Sequence, residues 1–160
     1  RGMQERYIFG FDNPMDNWTW NVAWFSDPVF LGEYPKEGLE KFAPYLPEIT
    51  KEDMELIHQP LDFMGQNIYN GYMIRCGKDG KPEYVDRAPG AAKTGTGWPV
   101  TPEALYYGIR FLTERYHLPL YITENGMSDL DNISADGQVH DSERITFFGC
   151  ISGCCAACGQ

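Results

Sequence analysis

Two short apolar runs with a helix between them decide what this chain can fold into. Leu61, Phe63, Met64, Ile68 and Tyr69 form a compact apolar stretch around Gly65, bounded by Pro60 and by Asn70-Gly71. Such a stretch reads as a buried strand. A long polar loop follows, from about Cys76 to Gly97, and loops of that length in a compact domain are often functional. Thr101-Pro102 opens a helix, with Thr as N-cap and Pro at the first helical position. Leu105, Ile109, Leu112 and Tyr116 then recur at helical spacing, so one face is buried. Pro119 ends the connection, and Leu120-Tyr121-Ile122-Thr123 reads as a second buried strand. Strand, loop, helix and strand in that order make a βαβ unit, which builds parallel sheets.

The flanks are less regular. The segment from Tyr7 to Phe30 is dense in aromatic residues, including Trp18, Trp20, Trp24 and Phe25. Asn13-Pro14 breaks it and Asp27-Pro28 ends it, both of which disfavour a continuing helix. Gly32-Glu33-Tyr34-Pro35 is a turn-rich connector. Thr50 opens a short helix whose first turn carries Glu52 and Asp53, where negative charge suits the helix dipole. After a polar loop to His140, residues Asp141 to Phe148 read as the start of another helix.

Charge removes several functional classes. Asp and Glu number 23 against 13 Lys and Arg, a net charge of −10. A phosphate backbone or an anionic membrane is repelled by that balance, so neither a nucleic acid nor a membrane surface is an expected partner. No stretch approaches the roughly 18 apolar residues that span a bilayer. The opening Arg1-Gly2-Met3-Gln4-Glu5-Arg6 has no apolar core for a signal peptide and reads as the middle of a longer gene product. Cys76 stands alone, while Cys150, Cys154, Cys155 and Cys158 crowd the end, unlike a spaced disulfide framework. Reduced thiols and a cytoplasmic setting are expected. His58, His117 and His140 lack metal-ligand spacing.

Glu124 falls at the carboxyl end of the second strand, where reactive groups gather in parallel α/β folds. A carboxylate there suits a nucleophile, a general base or a metal ligand, or else simply caps the next turn. The surrounding Tyr121-Ile122-Thr123-Glu124-Asn125-Gly126 resembles the nucleophile signature of glycoside hydrolase family 1. Asp62-Phe63-Met64-Gly65-Gln66-Asn67-Ile68-Tyr69 is similar to that family's sixth barrel strand, and Gly97-Trp98-Pro99-Val100-Thr101-Pro102 to its approach to the seventh. Asp27-Pro28 with Gly32-Glu33-Tyr34-Pro35 fits an upstream landmark. Asp136-Gly137 through Val139-His140-Asp141 and Arg144 resembles the stretch after the nucleophile.

The resemblance implies an α/β fold, part of a (β/α)8 barrel covering about strands six and seven. It implies hydrolysis of a β-glucoside or oligosaccharide with retention, which needs two carboxyl groups about 5–5.5 Å apart. Glu124 would be the nucleophile and Tyr69 would orient it. Asn67, Trp98 and Asn125 would bind substrate, Trp98 forming the wall where the leaving group rests. No metal or organic cofactor is implied. Each residue also has a plainer reading: Tyr69 as a packed ring, Trp98 as closure of the core, Asn67 as a partner for strand-end backbone.

The pattern fails in places. The family's acid/base Glu lies in an Asn-Glu-Pro triplet, and none occurs here. The Trp- and Glu-containing stretch after the eighth strand is absent, and Ile68 replaces an aromatic residue. The resemblance stops near Phe148, so residues 1–148 read as a partial catalytic domain and 149–160 as an aberrant Cys-rich tail that does not continue the helix. A slipped reading frame accounts for that tail better than half of a zinc or redox site, which ordinarily comes with a second spaced pair. A barrel needs about 250 residues, so this one is incomplete, with unpaired edges that favour self-association. The expected parent is a retaining β-glucosidase acting on disaccharides or aryl glucosides. The alternatives are a 6-phospho-β-glucosidase or β-galactosidase, or a non-catalytic remnant with weak sugar contacts.

Overall fold

Met64–Asn67 and Leu120–Glu124 lie side by side and run parallel, which only a crossover connection between them permits. The computed structural model describes residues 14–158, and the side chains of residues 155–158 lie outside that description. In chain order the elements are α1 (Pro14–Trp18), a π-helical turn (Thr19–Ala23), α2 (Trp24–Phe30), α3 (Lys36–Phe42), a 3-10 turn (Ala43–Tyr45), α4 (Lys51–Ile57), β1 (Met64–Asn67), β2 (Ile74–Cys76), β3 (Pro82–Tyr84), α5 (Glu103–Tyr116), β4 (Leu120–Glu124) and α6 (Ser142–Cys158). They form two units, Arg1–Leu61 with Met73–Asp86 and Asp62–Tyr72 with Arg87–Gln160. The fold is α/β, an incomplete part of a (β/α)8 barrel. No helix among the described residues is long and apolar enough to cross a membrane.

In the first unit the aromatic segment folds differently from its sequence expectation. Residues 14–30 are helical throughout, passing through the π-helical turn without a break. Pro14 begins a helix, where its missing N–H is no loss. Pro28 sits in the last turn of α2, and the chain leaves the helix through the Leu31 N–H, which donates to the Asp27 carbonyl at 2.7 Å. A proline that late removes little of the helical ladder. Trp24 packs edge-on against Phe42 with centroids 5.4 Å apart and tilts over Tyr34 at 4.8 Å. Expectations for Tyr7 to Asn13 lie outside the described residues.

The cap at Thr50 forms as expected. The Asp53 N–H donates to the Thr50 hydroxyl oxygen at 3.1 Å, and the Asp53 carboxylate accepts from the Thr50 N–H at 2.9 Å. The Thr50 N–H, and after it the Thr50 O–H at 2.8 Å, donate to the Asp53 carboxylate and hold it below the usual carboxylate range. The long loop after Cys76 is partly ordered, because β2 and β3 pair antiparallel across Gly77–Lys81. Gly80 takes φ 78 there, the left-handed turn that an Asp-Gly pair favours.

In the second unit β1 is shorter than expected, four residues instead of nine. Met64 opposes Leu120, Gly65 opposes Tyr121 and Gln66 opposes Ile122; the register then shifts so that Asn67 opposes Glu124. One face of the pair meets helices. Leu105, Phe147 and Ile151 form the buried cluster, with Ile68, Ile109, Ile122 and Met127 packed against it. The other face is open: Tyr121 is 61% exposed, and its ring meets that of Phe63 edge-on at 5.0 Å. The expected second buried strand is therefore half-buried on one side and exposed on the other.

Thr101 does not cap α5. Its hydroxyl oxygen accepts from the Gly71 N–H at 2.9 Å and its O–H donates to the Gly71 carbonyl at 3.3 Å. A Cβ on Gly71 would lie 2.8 Å from that of Ala104, so the close approach requires glycine. The last helix also departs from expectation. It continues through Phe148 to Cys158, and Ile151 follows Phe147 one turn later on the same buried face. Cys150 is exposed and Cys154 half-buried, both as free thiols; the Cys155 and Cys158 side chains lie outside the described residues.

Leu105 is 1% exposed at the centre of the cluster. Leu105→Ala is expected to destabilise the unit by about 3 kcal/mol, the usual cost of such a cavity. Urea denaturation followed by circular dichroism checks this, and a midpoint unchanged from the parent chain would contradict the core assignment.

Candidate functional site

The carboxyl ends of β1 and β4 bring together four of the five residues singled out from sequence. Asn67 ends β1 and Glu124 ends β4, opposite one another. Tyr69 lies two residues beyond Asn67, and its phenol O–H donates to the Glu124 carboxylate. That bond raises the Tyr69 phenol above its ordinary value, with smaller contributions from desolvation and from the carboxylate's charge. Glu124 is exposed.

Asn67 and Asn125 brace the backbone around this pair. The Thr123 hydroxyl donates to the Asn67 side-chain oxygen at 2.6 Å. Asn125 Nδ2 donates to the Ile68 carbonyl at 2.7 Å, tying the two strand ends across. Its Oδ1 is buried without a hydrogen-bond partner among the described residues. A buried acceptor left open costs free energy unless something supplies a donor.

Trp98 arrives from the loop before α5. Its ring stands edge-on to Tyr69 with centroids 5.6 Å apart and an interplanar angle of 70°. Trp98 is 41% exposed. A tight loop presents it: the Thr94 N–H donates to the Trp98 carbonyl at 2.8 Å, and the Trp98 N–H to the Thr94 hydroxyl oxygen at 3.1 Å. Gly97 has φ 85 at the turn.

Sequence reading passed over the polar residues that hold these loops. The Gly95 N–H donates to the Ser128 carbonyl at 2.8 Å, and the Thr96 N–H to the Ser128 hydroxyl oxygen at 3.0 Å. The Thr-Gly-Thr-Gly run at 94–97 was the available signal, but small polar residues have no periodicity to mark them. Arg144 fixes the loop that follows Glu124. Its Nε donates to the Met127 carbonyl at 3.1 Å, while Nη1 pairs with Asp131 at 2.7 Å and with Asp141. These carboxylates push the guanidinium further up, and Arg144 in turn holds Asp131 below the ordinary carboxylate range.

The arrangement offers one exposed carboxylate oriented by a neutral phenol, next to an aromatic wall. That combination suits attack on an electrophilic carbon beside an apolar group. Among the described residues no group of three or more His, Cys, Asp and Glu is placed to hold a metal ion.

Residues 12–151 match the model of Glycosyl hydrolase family 1. Beta-glucosidase A of Thermotoga maritima is 39% identical over 130 residues, covering 79% of this chain and 29% of that protein. The Beta-glucosidase of Agrobacterium sp. is 39% identical over 131 residues, covering 78% of this chain and 28% of its own length. The solved Family 1 b-glucosidase from Thermotoga maritima superposes with a TM-score of 0.72 at 37% identity, over 85% of this chain and 31% of that one. The chain therefore spans less than a third of the relatives it matches.

The Tyr69–Glu124 bond has a measurable signature. Phenolate formation at Tyr69 is expected above the ordinary tyrosine range, and Glu124→Gln is expected to bring it back down. Because the folded value is raised, the stability this bond contributes is present below the ordinary tyrosine value and lost as pH rises through the raised one. Absorbance titration at about 295 nm, with Tyr69→Phe to identify the late component, checks both statements.

Proposed function

The chain belongs to glycosyl hydrolase family 1, and from that premise we propose that it carries the nucleophile half of a retaining β-glucosidase site. In this reading Glu124 attacks the anomeric carbon of a β-D-glucosyl unit as the bond to the aglycone oxygen breaks. The aglycone leaves, taking a proton from an acid or from water, and water then hydrolyses the covalent glycosyl-enzyme and frees the Glu124 carboxylate. Tyr69 holds the carboxylate in the attacking orientation. Asn67 and Asn125 serve the sugar's reacting end, and Trp98 rests against the leaving group, where a ring suits the C–H face of a sugar or an aryl group. The observation that carries the reading is the Tyr69 phenol on the Glu124 carboxylate, at the paired carboxyl ends of two adjacent parallel strands.

The substrates are β-linked disaccharides, short oligosaccharides or aryl glucosides. Relatives named for β-glucosidase and 1,4-beta-D-glucan glucohydrolase activity support a gluco preference over a galacto or 6-phospho one. Free thiols at Cys76, Cys150 and Cys154 support a reducing, cytoplasmic setting. A general acid must come from outside this sequence, which holds no Asn-Glu-Pro triplet. That lack favours, as a second reading, a non-catalytic piece that keeps weak sugar contacts.

An activated aryl β-glucoside needs little help from an acid, so dinitrophenol release by the chain is the direct test. Turnover is expected to fall at least about a thousandfold in Glu124→Ala, ~4 kcal/mol of barrier. A 2-deoxy-2-fluoro analogue is expected to leave a sugar adduct on the peptide containing Glu124, read by mass spectrometry. Turnover that survives in Glu124→Ala would overturn the assignment. Neither turnover nor adduct, with weak glucose binding retained, would select the second reading.

Association of the chain with itself belongs to the same proposal. Phe63 and Tyr121 are 53% and 61% exposed on the open face of the β1–β4 pair, and an unpaired apolar sheet invites a partner. Sedimentation velocity is expected to show species heavier than the 18.2 kDa chain. Phe63→Glu with Tyr121→Glu is expected to return the monomer, and a wild-type sample that is wholly monomeric would refute the idea.

A further inference from the structure

We propose that Ser128 is a positioning residue of this site, holding the Trp98 ring at the edge of Tyr69 through the hydroxyls of Thr96 and Thr94. The inference rests on the reading of Glu124, Tyr69 and Trp98 just given, and it assigns to Ser128 the control of affinity on the leaving-group side.

Three hydroxyls run from one loop to the other. Ser128 Oγ lies 2.9 Å from Thr96 Oγ1, and Thr96 Oγ1 lies 3.2 Å from Thr94 Oγ1. Thr94 Oγ1 in turn accepts from the Trp98 N–H at 3.1 Å. Thr94 is buried at 8% exposure, so its hydroxyl cannot readily exchange these partners for bulk water. The Thr96 N–H also donates to Ser128 Oγ, and one bond independent of that hydroxyl joins the loops, from the Gly95 N–H to the Ser128 carbonyl. The loops touch so closely that a Cβ on Gly95 would lie 3.1–3.2 Å from the Asp129 backbone.

The consequence follows from where Ser128 stands. It is four residues beyond Glu124 on the same chain segment, and Asn125 and Arg144 pin the intervening backbone to Ile68 and through Met127. One strand end therefore supplies the carboxylate and also the anchor for the ring that faces its leaving group. Without Ser128 Oγ, Thr96 loses its partners on that side, while Tyr69 keeps its bond to Glu124. Ring placement is then separable from orientation of the carboxylate, and a purely structural loop closure would not separate them.

The chain labelled with 5-fluorotryptophan has four reporters, Trp18, Trp20, Trp24 and Trp98, and Trp98→Phe identifies the relevant fluorine line. In Ser128→Ala the Trp98 line is expected to move or broaden while the other three stay. Ser128→Thr, which keeps a hydroxyl, is expected to retain the parent line, and Gly95→Ala to displace it by prying the loops apart. Titration with a phenyl β-D-glucoside, followed on the same line, is expected to show affinity about fivefold weaker in Ser128→Ala, the scale of one lost hydrogen bond. Any turnover is expected to change in KM with kcat nearly constant. A Trp98 line unmoved in both Ser128→Ala and Gly95→Ala overturns the proposal, as does a Ser128→Thr chain that behaves like Ser128→Ala. If Ser128→Ala fails to fold, Thr96→Val decides by the same readout. A parent chain whose Trp98 line ignores the glucoside would defeat the reading of Trp98 as a sugar wall, while the mutant lines still decide the role of Ser128.

Discussion

The parallel ladder between β1 and β4 is the constraint on which the site depends. Its bonds run from the Met64 N–H to the Pro119 carbonyl at 2.8 Å and from the Ile68 N–H to the Glu124 carbonyl at 3.0 Å. Between them the register slips, so that Thr123 and Glu124 together stand against Asn67. A strict ladder alternates side chains between faces. The irregularity re-aims the end of β4, as bulges commonly do next to active sites. It sets Thr123 where its hydroxyl reaches Asn67 and Glu124 where it meets Tyr69. Two carboxyl-terminal strand ends thus become one cluster.

Helices secure that ladder from one side only. Leu105 of α5 with Phe147 and Ile151 of α6 bury the face carrying Ile68 and Ile122. The opposite face keeps Phe63 and Tyr121 in contact with each other and with solvent. A sheet of two strands is marginal by itself, so the helical side supplies the apolar burial of this unit. Glu124, at the end of β4, is exposed within this unit.

Legibility in the sequence followed periodicity. The strand–helix–strand order was visible because apolar residues repeat along α5 and cluster in both runs, and Glu124 was visible because it ends the second run. Tyr69, Asn67 and Trp98 were reached only through resemblance, since no local pattern joins positions 67, 69, 98 and 124. What sequence missed has a common physical cause. The contacts of Thr101 with Gly71, of Thr96 with Ser128 and of Arg144 with Met127 are made by polar groups to backbone or hydroxyl partners 17 to 32 residues away, and such bonds leave no periodic trace. Thr101 illustrates the competition: a good N-cap by type, it serves a distant backbone instead. Pro28 illustrates position, because a proline in the last turn ends a helix without preventing it.

The division of labour between strands and loops has a chemical consequence. Attack on an anomeric carbon requires a near-attack geometry that a displacement of about 1 Å can spoil, and groups on sheet ends are held more tightly than groups on loops. Here the carboxylate belongs to a strand end and its orienting phenol lies two residues past the neighbouring one, so their relation is fixed by the ladder. Trp98 belongs to a loop, which hydroxyl and backbone bonds to Ser128 help to tie to the same frame. The geometry of the Glu124–Tyr69 pair is thus a property of the fold. The position of Trp98 depends on a few exchangeable polar contacts, which can change without disturbing the Tyr69–Glu124 bond.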